Sequence, residues 1–419
     1  MPGSGLWGSF GIASESTYGT PVAVSRFYEI ASSTMAAKTT TFQGEGLRAG
    51  QMFPLAARRG IASRQAAGDV IFDLPVKGLG LILSHAFGSS PTPTAVGSLY
   101  QQIHNWGSTF GKSFTAQVVK PSRFGTAAQD VFTYPGCKIT DWTLTAIAGK
   151  QITNTFTIDA ADEATPSNAF APTTLSAATT AGAASFTTVA SIPAGSYVVV
   201  DSGVNAEVVQ TGTPTGAGPY TIPVTAAEGS AGTLLLAHAS GVTVSSATGL
   251  NYGAATALQT QTYPSQWGLF SFKDANLLVG GTLTQTGAWS VAGAKTAANV
   301  KSITIKAARA LEVNDFTSGT PIKREPIDNA FVKGTLDIDA DFDNQLLYQA
   351  YLSQTPLVLQ ATFVAPQASL VVTVGAGFQQ DSSPQLSGPA VLTQKITFDI
   401  TDPGGGALQA VYTSTDSVL

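Results

Sequence analysis

The sequence predicts a mainly β chain of two tandem similar folds, each an antiparallel β-sandwich or barrel with one short flanking helix, plus a small inserted β module. Three observations carry this. Several segments alternate strictly between apolar and polar residues. The same four features recur in the same order in the two halves. Between the halves, no Lys or Arg occurs from Lys150 to Lys273, and that gap has strand and turn signals of its own.

The alternation sets the class. Every second side chain of a strand shares a face. Ile303 and Ile305 oppose Ser302, Thr304 and Lys306; Ile396, Phe398 and Ile400 oppose Thr397, Asp399 and Thr401. Such strands bury one face and wet the other, as antiparallel sheets do.

Taken in order, the first half spans residues 1–165. It has an alternating segment at 25–32, a strand and helix at 68–87, an apolar strand at 113–121 and a strand opening with KIT at Lys138. In 68–87, Val70, Phe72, Leu74 and Val76 alternate, and Leu79, Ile82, Leu83 and Ala86 then follow helical spacing. The inserted module spans 166–252. Its short runs SYVVVD, AEVVQT, YTIPVT and TLLLAH are separated by turn residues. The second half spans 253–419. Its matching features are the segment 301–308, the strand and helix at 334–352, the apolar strand 356–366 and a KIT strand from Lys395. Leu336, Ile338, Ala340 and Phe342 match the first alternation, and Asp343 stands where a helix cap is expected. The repeated order predicts a duplication.

Composition excludes several classes. Only 11% of the 419 residues are charged, with 26 acidic and 21 basic side chains and a net charge of −5. Average soluble domains carry about 25%. Charge-driven disorder, a polybasic nucleic-acid binder and a long charged coiled coil are all disfavoured. The single cysteine, Cys137, allows no internal disulfide, as in a protein made in a reducing compartment. The opening MPGSGLWGSFG lacks signal-peptide character, and the apolar run 79–87 is too short to span a bilayer, so export and membrane insertion are not expected.

No motif argues for an enzyme or a cofactor. GSTFGKS, residues 107–113, resembles a phosphate-binding loop, but Trp106 stands where the first Gly is needed and an alternating strand follows. Asp337, Asp339, Asp341 and Asp343 suggest a calcium loop, but Phe342 occupies the position that needs Gly. Leu336, Ile338 and Ala340 between them mark a half-buried strand whose carboxylates share a face. That face reads as an ordinary solvated surface, as a deliberately acidic one, or as a divalent-metal site. His85, His104 and His238 lack ligand spacing, and Cys137 reads as a packing thiol. Neither a G-x-S-x-G nor an H-E-x-x-H pattern occurs.

Residues 42–64 differ. Arg48, Arg58, Arg59 and Arg64 lie among Leu47, Met52, Phe53 and Leu55 in a segment long for a connection. Arginines with apolar anchors are an interface composition. A protein–protein contact loop and a merely solvated loop are the two readings.

Together these segments resemble a family. ESTYGTPVAVSRFYEI (15–30), GLRAG (46–50), GLGLILSHAFG, GCKITDWTLTAIAGKQITNTFTIDAAD, the stretch from TALQTQTYP to FSFKDANLLVGGT, and KREPIDNAFVKGTLDIDADF appear in the order seen in major tail proteins, the tail tube proteins of long-tailed, siphovirus-like bacteriophages. The likeness covers nearly everything outside the module, which looks like the β additions that decorate the outside of phage structural proteins. It implies two tandem tail-tube folds and a non-enzymatic virion protein that stacks as rings into the conduit for DNA ejection. It implies self-association, as a pseudo-hexameric trimer or a hexamer. The other implied partners are tape measure, tail terminator and distal tail proteins. DNA passes without specific binding. The location implied is the virion tail, after assembly in the host cytoplasm. A capsid or tail decoration protein is the alternative, with a surface adhesin or β-rich enzyme behind it.

Duplex DNA carries about one charge per 1.7 Å, so a basic bore would hold it and an acidic or neutral one lets it slide. The expected bore-facing residues are therefore Asp337, Asp339 and Asp341, with Asp159 and Asp399. The expected ring–ring contacts are Leu47, Arg48, Met52, Phe53, Arg58, Arg59 and Arg64.

Overall fold

Short runs of Thr, Val and Ile between Gly-rich turns become strands throughout. The computed structural model describes residues 4–121, 129–164, 170–227, 232–247, 253–264, 268–297, 299–341, 346–380 and 393–419. Asp343 and the expected domain boundaries near 165 and 252 lie outside them.

The first half contains β1 (Ser9–Ser14), β2 (Arg26–Tyr28), β3 (Ser32–Ser33), β4 (Ala36–Gln43), β5 (Arg59–Asp73), α1 (Gly80–Phe87), β6 (Thr94–Val96), β7 (Leu99–Asn105), β8 (Phe114–Pro121), β9 (Gln129–Ile147) and β10 (Thr153–Ala160). The module contains β11 (Thr173–Thr174), β12 (Ser185–Thr188), β13 (Tyr197–Val200), β14 (Glu207–Thr211), β15 (Tyr220–Ala227) and β16 (Thr243–Ser246). The second half contains β17 (Ala275–Val279), β18 (Thr282–Thr284), β19 (Ser290–Ala292), β20 (Lys295–Thr296), β21 (Val300–Ala308), β22 (Lys333–Asp341), α2 (Leu346–Leu352), β23 (Leu357–Ala365), β24 (Ala368–Gln379), β25 (Thr393–Thr401) and β26 (Leu408–Ser414).

The pairing pattern repeats. β8 pairs with β1 and β9 as β23 pairs with β17 and β24. β10 lies between β5 and β9 as β25 lies between β22 and β24. The strands at 68–73 and 334–341, the two helices and the apolar strands thus hold like places in the two patterns. Two other correspondences are corrected. The second KIT strand, β25, holds the place of β10 rather than of β9. The place of β21 beside β22 is taken in the first half by β3 and β4; of the segment 25–32, the main part, β2, pairs with β1 instead. Alternating Thr/Ile strands look alike, and their partners, not their composition, set their place.

The halves share one sheet. β9 is long: its first part pairs with β8, and its second part lies between β10 and β21. Ser302 to Ala308 run antiparallel to Ile147 to Asp141, joining the halves into the run β5–β10–β9–β21–β22–β25. β26 pairs with β7 and makes a second seam. One core lies behind this run, with Trp142, Leu144, Phe156, Ile305, Leu336 and Phe398 all buried in it.

Helix α1 fills the core under the sheet. Leu79, Ile82, Leu83 and Ala86 are fully buried, and each large aliphatic side chain contributes roughly 1.5–3 kcal/mol relative to exposure. Gly88 ends the helix with φ +64, and a Cβ there would lie 2.5 Å from the carbonyl oxygens of Gly107 and Ser108. Only glycine fits that turn.

The module forms its own six-stranded sheet with the order β11-β16-β13-β14-β15-β12. Its core of Phe186, Val198, Val200, Val209 and Ile222 is separate from the main one.

Candidate functional site: the wet sheet face and two hairpins

Along the run β5–β10–β9–β21–β22–β25, one face is core and the other is Thr, Ser and Asp. Opposing registers set these polar side chains side by side. Thr304 lies between Thr145 and Asp337, and Ser302 is opposite Asp339. Asp337 is opposite Thr397, and Asp339 is opposite Lys395. Asp69 and Asp73 of β5 and Asp141 of β9 join the same face through Thr157 and Thr153.

The carboxylates are tempered by neighbours. Asp337 accepts a 2.7 Å bond from Thr397 Oγ1 and has Lys306 Nζ at 3.8 Å. Asp341 lies 2.5 Å from Lys301 Nζ. Asp399 accepts from Gln380 Nε2 and Asp69 from Thr157 Oγ1. Lys301, Lys306, Lys333 and Lys395 thus face Asp69, Asp73, Asp141, Asp337, Asp339, Asp341 and Asp399, and the face keeps an acidic excess. It offers hydroxyls and carboxylates with few cations, which repels a polyanion weakly and gives phosphates little to hold.

Asp159 departs from this set. Alternation puts it on the same side as Thr157, but it is buried, and both its oxygens lie 2.5 Å from Lys323 Nζ. A covered, paired carboxylate presents no charge to a channel, so Asp159 is removed from the bore-facing candidates.

Its cover is the hairpin 309–332, which links β21 to β22. Arg309 donates to the carbonyls of Gly107 and Ala86 at 2.7 and 2.8 Å and lies over the Trp106 ring. Lys138 pairs with Glu325 at 2.6 Å, and Ser108 Oγ donates to Asp328. The backbone N–H of Arg64 donates to the Pro321 carbonyl at 2.9 Å. Burial pushes the Lys138 and Lys323 ammonium groups down, and the facing carboxylates partly offset it. None of these residues carries a sequence motif; the cluster KRE at 323–325 was the one available signal.

The first-half counterpart, β4 with the start of β5, is uncovered. All eight residues of β4 are exposed. At the tip, Leu47, Met52 and Phe53 are 102%, 95% and 85% exposed. Arg58 braces the tip by donating to the Gly46 carbonyl at 2.9 Å. Arg64 is held at the base by Asp162 at 3.2 Å. Arg59 approaches Thr41 Oγ1 at 3.5 Å. The structure thus gathers Leu47, Arg48, Met52, Phe53, Arg58 and Arg59 on one projecting hairpin and turns Arg64 to an internal role. Contiguous exposed apolar side chains of this size mark interaction surfaces.

The motifs discounted in the sequence fall on structural positions. GSTFGKS turns into β8, and Lys112 Nζ donates to the Gly88 carbonyl. Cys137 is buried, its Sγ 3.2 Å from the Tyr134 carbonyl, and burial raises its thiol. His238 is buried in the module between Glu207 at 2.6 Å and Asp201 at 3.3 Å. Among the described residues no group of three or more His, Cys, Asp or Glu could hold a metal ion, and no helix is long and apolar enough to cross a membrane.

Comparison with known proteins bears on the second-half part of this sheet and its hairpin. Residues 249–400 match the phage tail tube protein family. That match supports a phage tail tube protein, a structural component of the virion tail, as the order of segments in the sequence suggests. It begins shortly after β16 and takes in β21, β22 and the hairpin between them. No curated protein matches the chain.

Proposed function

We propose that this tail tube protein assembles as three copies per ring, that the rings stack into a tube, and that the Thr/Asp face of β5–β10–β9–β21–β22–β25 lines the bore through which DNA leaves. One observation carries this: a single sheet crosses both halves through the β9–β21 seam, with one face in the core and the other wet, acidic and poor in cations.

Two copies of one pairing pattern per chain make three chains equivalent to six units, so a trimer closes a pseudo-sixfold ring. The open edge at β4 is what such a ring must satisfy. A long unpaired strand is a hazard in a free monomer, and ring closure removes it. Inside, Asp337, Asp339, Asp341 and Asp399, joined by Asp69, Asp73 and Asp141, repel the DNA weakly while Thr and Ser keep the wall hydrated. The projecting hairpin with Leu47, Arg48, Met52, Phe53, Arg58 and Arg59 makes a contact between copies on which the assembly depends. The module, with its own core, decorates the exterior. Tape measure, tail terminator and distal tail proteins complete the tail, which is assembled in the host cytoplasm.

Negative-stain microscopy of the purified protein, with sedimentation alongside, tests the proposal. Rings or tubes are expected. Monodisperse monomers at all concentrations contradict it.

A further inference from the structure

We infer that the tip of the projecting hairpin of one copy seats on residues 327–332 of a second copy, repeating between chains a contact the chain already makes within itself. This rests on the reading of the chain as a ring-forming protein and names the surface that receives the hairpin.

The internal contact is specific. From its base at β21, the hairpin 309–332 leans across β9 and β10 until its turn meets β5. There the Arg64 N–H donates to the Pro321 carbonyl at 2.9 Å, and Arg64 and Ile322 form a parallel bridge. Glu325 meets Lys138 and the N–H of Gly111, and Lys323 meets Asp159. The turn of the second hairpin thus rests on the returning strand of the first, just before Gly68.

The same place exists in the second half. Gly68 of β5 and Gly334 of β22 stand at matching places, each followed at the same spacing by its helix. Residues 327–332, just before Gly334, therefore correspond to 61–66. In the first half, residues 63–66 are at least partly covered; in the second, 327–332 are all exposed. Ile327, Phe331 and Val332 stand 50%, 94% and 38% exposed. The chain thus holds an uncovered receiving segment and, on its other half, an uncovered tip of Leu47, Met52 and Phe53. Charges also match: Arg48 and Arg59 lie on the hairpin, while Asp328 lies in the receiving segment beside Glu312, which accepts from Asn329.

The strand order directs the hairpin outward. The second hairpin crosses β9 and β10, which the chain itself supplies beside β21. The first hairpin stands at β4, an edge with β5 as its paired strand. Leaning the same way, it passes over that edge onto the sheet of the next chain, where β25 and β22 hold the places of β10 and β5.

Chains carrying Phe53→Cys and chains carrying Phe331→Cys are mixed, assembled and oxidised, then run on a non-reducing gel. Cys137 is buried and serves as an internal control in each single variant. A covalent dimer formed from the mixture but from neither variant alone is expected. Assembled rings without that dimer overturn this inference and leave the ring reading standing. Wild-type protein that stays monomeric overturns both. Independently, Phe331→Ser, at an exposed site, should raise the concentration needed for assembly by about tenfold or more, with the melting transition unchanged. Unaltered assembly overturns the inference.

Discussion

Lys323 Nζ lies 2.5 Å from both carboxylate oxygens of Asp159, joining two residues 164 positions apart in the chain. Burial raises the carboxyl and lowers the ammonium, and each partner opposes the shift of the other. The pair fastens the second-half hairpin to the first half. Lys323→Met leaves a buried carboxylate unpaired and should cost about 3–5 kcal/mol. Adding Asp159→Leu should recover most of that. Urea unfolding at pH 7 measures both; equal losses in the single and double variants would show that the pair is not the cause.

Two buried histidines predict an acid-side loss of stability. Burial lowers His85 to about 4 and His104 to about 3. Unfolded histidine titrates near 6.5. Between those values the unfolded chain binds more protons, so stability falls as pH drops below about 6.5. Each histidine contributes up to about 1.4 kcal/mol per pH unit in that window. Unfolding midpoints from pH 7.5 to 4.5 should show the slope, and His104→Gln should reduce it by about one proton. A flat profile down to pH 5 is the contrary result.

The wet face is tested by reversing its charge. Asp337, Asp339 and Asp341 replaced together by Lys should still permit tube assembly, because all three lie outside the core. DNA delivery should fall by about tenfold or more, since a basic bore collects phosphate contacts. An unchanged infectious titre contradicts the assignment of these residues to the bore.

Removing residues 46–59 takes away the hairpin tip and leaves the main core intact. Folded chains that form fewer rings and no long tubes are expected in electron micrographs. Tubes of normal length after this deletion would assign stacking to another surface.

Replacing residues 171–250 with a short Gly/Ser linker should leave the tube fold standing, because the core of the module shares no residue with the main core. Thermal unfolding of the remainder should keep its main transition within a few degrees, and rings should still form. Loss of assembly would make the module part of the tube wall.

Much of this was legible because it depends on alternation. Ile303, Ile305, Leu336 and Ile338 announced a strand with one buried face, and Leu79, Ile82, Leu83 and Ala86 announced the helix beneath it. The module showed itself through its missing basic residues and its own Val runs. What stayed hidden depends on partners distant in sequence. Alternation placed Asp159 on the wet side correctly, yet nothing near it signals that Lys323 folds over it. Thr-rich strands carry no mark of their neighbours, so β25 and β9 look interchangeable until the pairing separates them. The apolar residues at 327–332 look unremarkable as sequence, and only their exposure beside the partly covered 63–66 gives them meaning.

The most direct measurement is an electron cryomicroscopy reconstruction of assembled tubes at side-chain resolution. Three chains per ring, a continuous barrel closed through β4, and Asp337, Asp339 and Asp341 facing the bore are expected. Those aspartates at a ring–ring contact or on the outer wall would contradict that assignment.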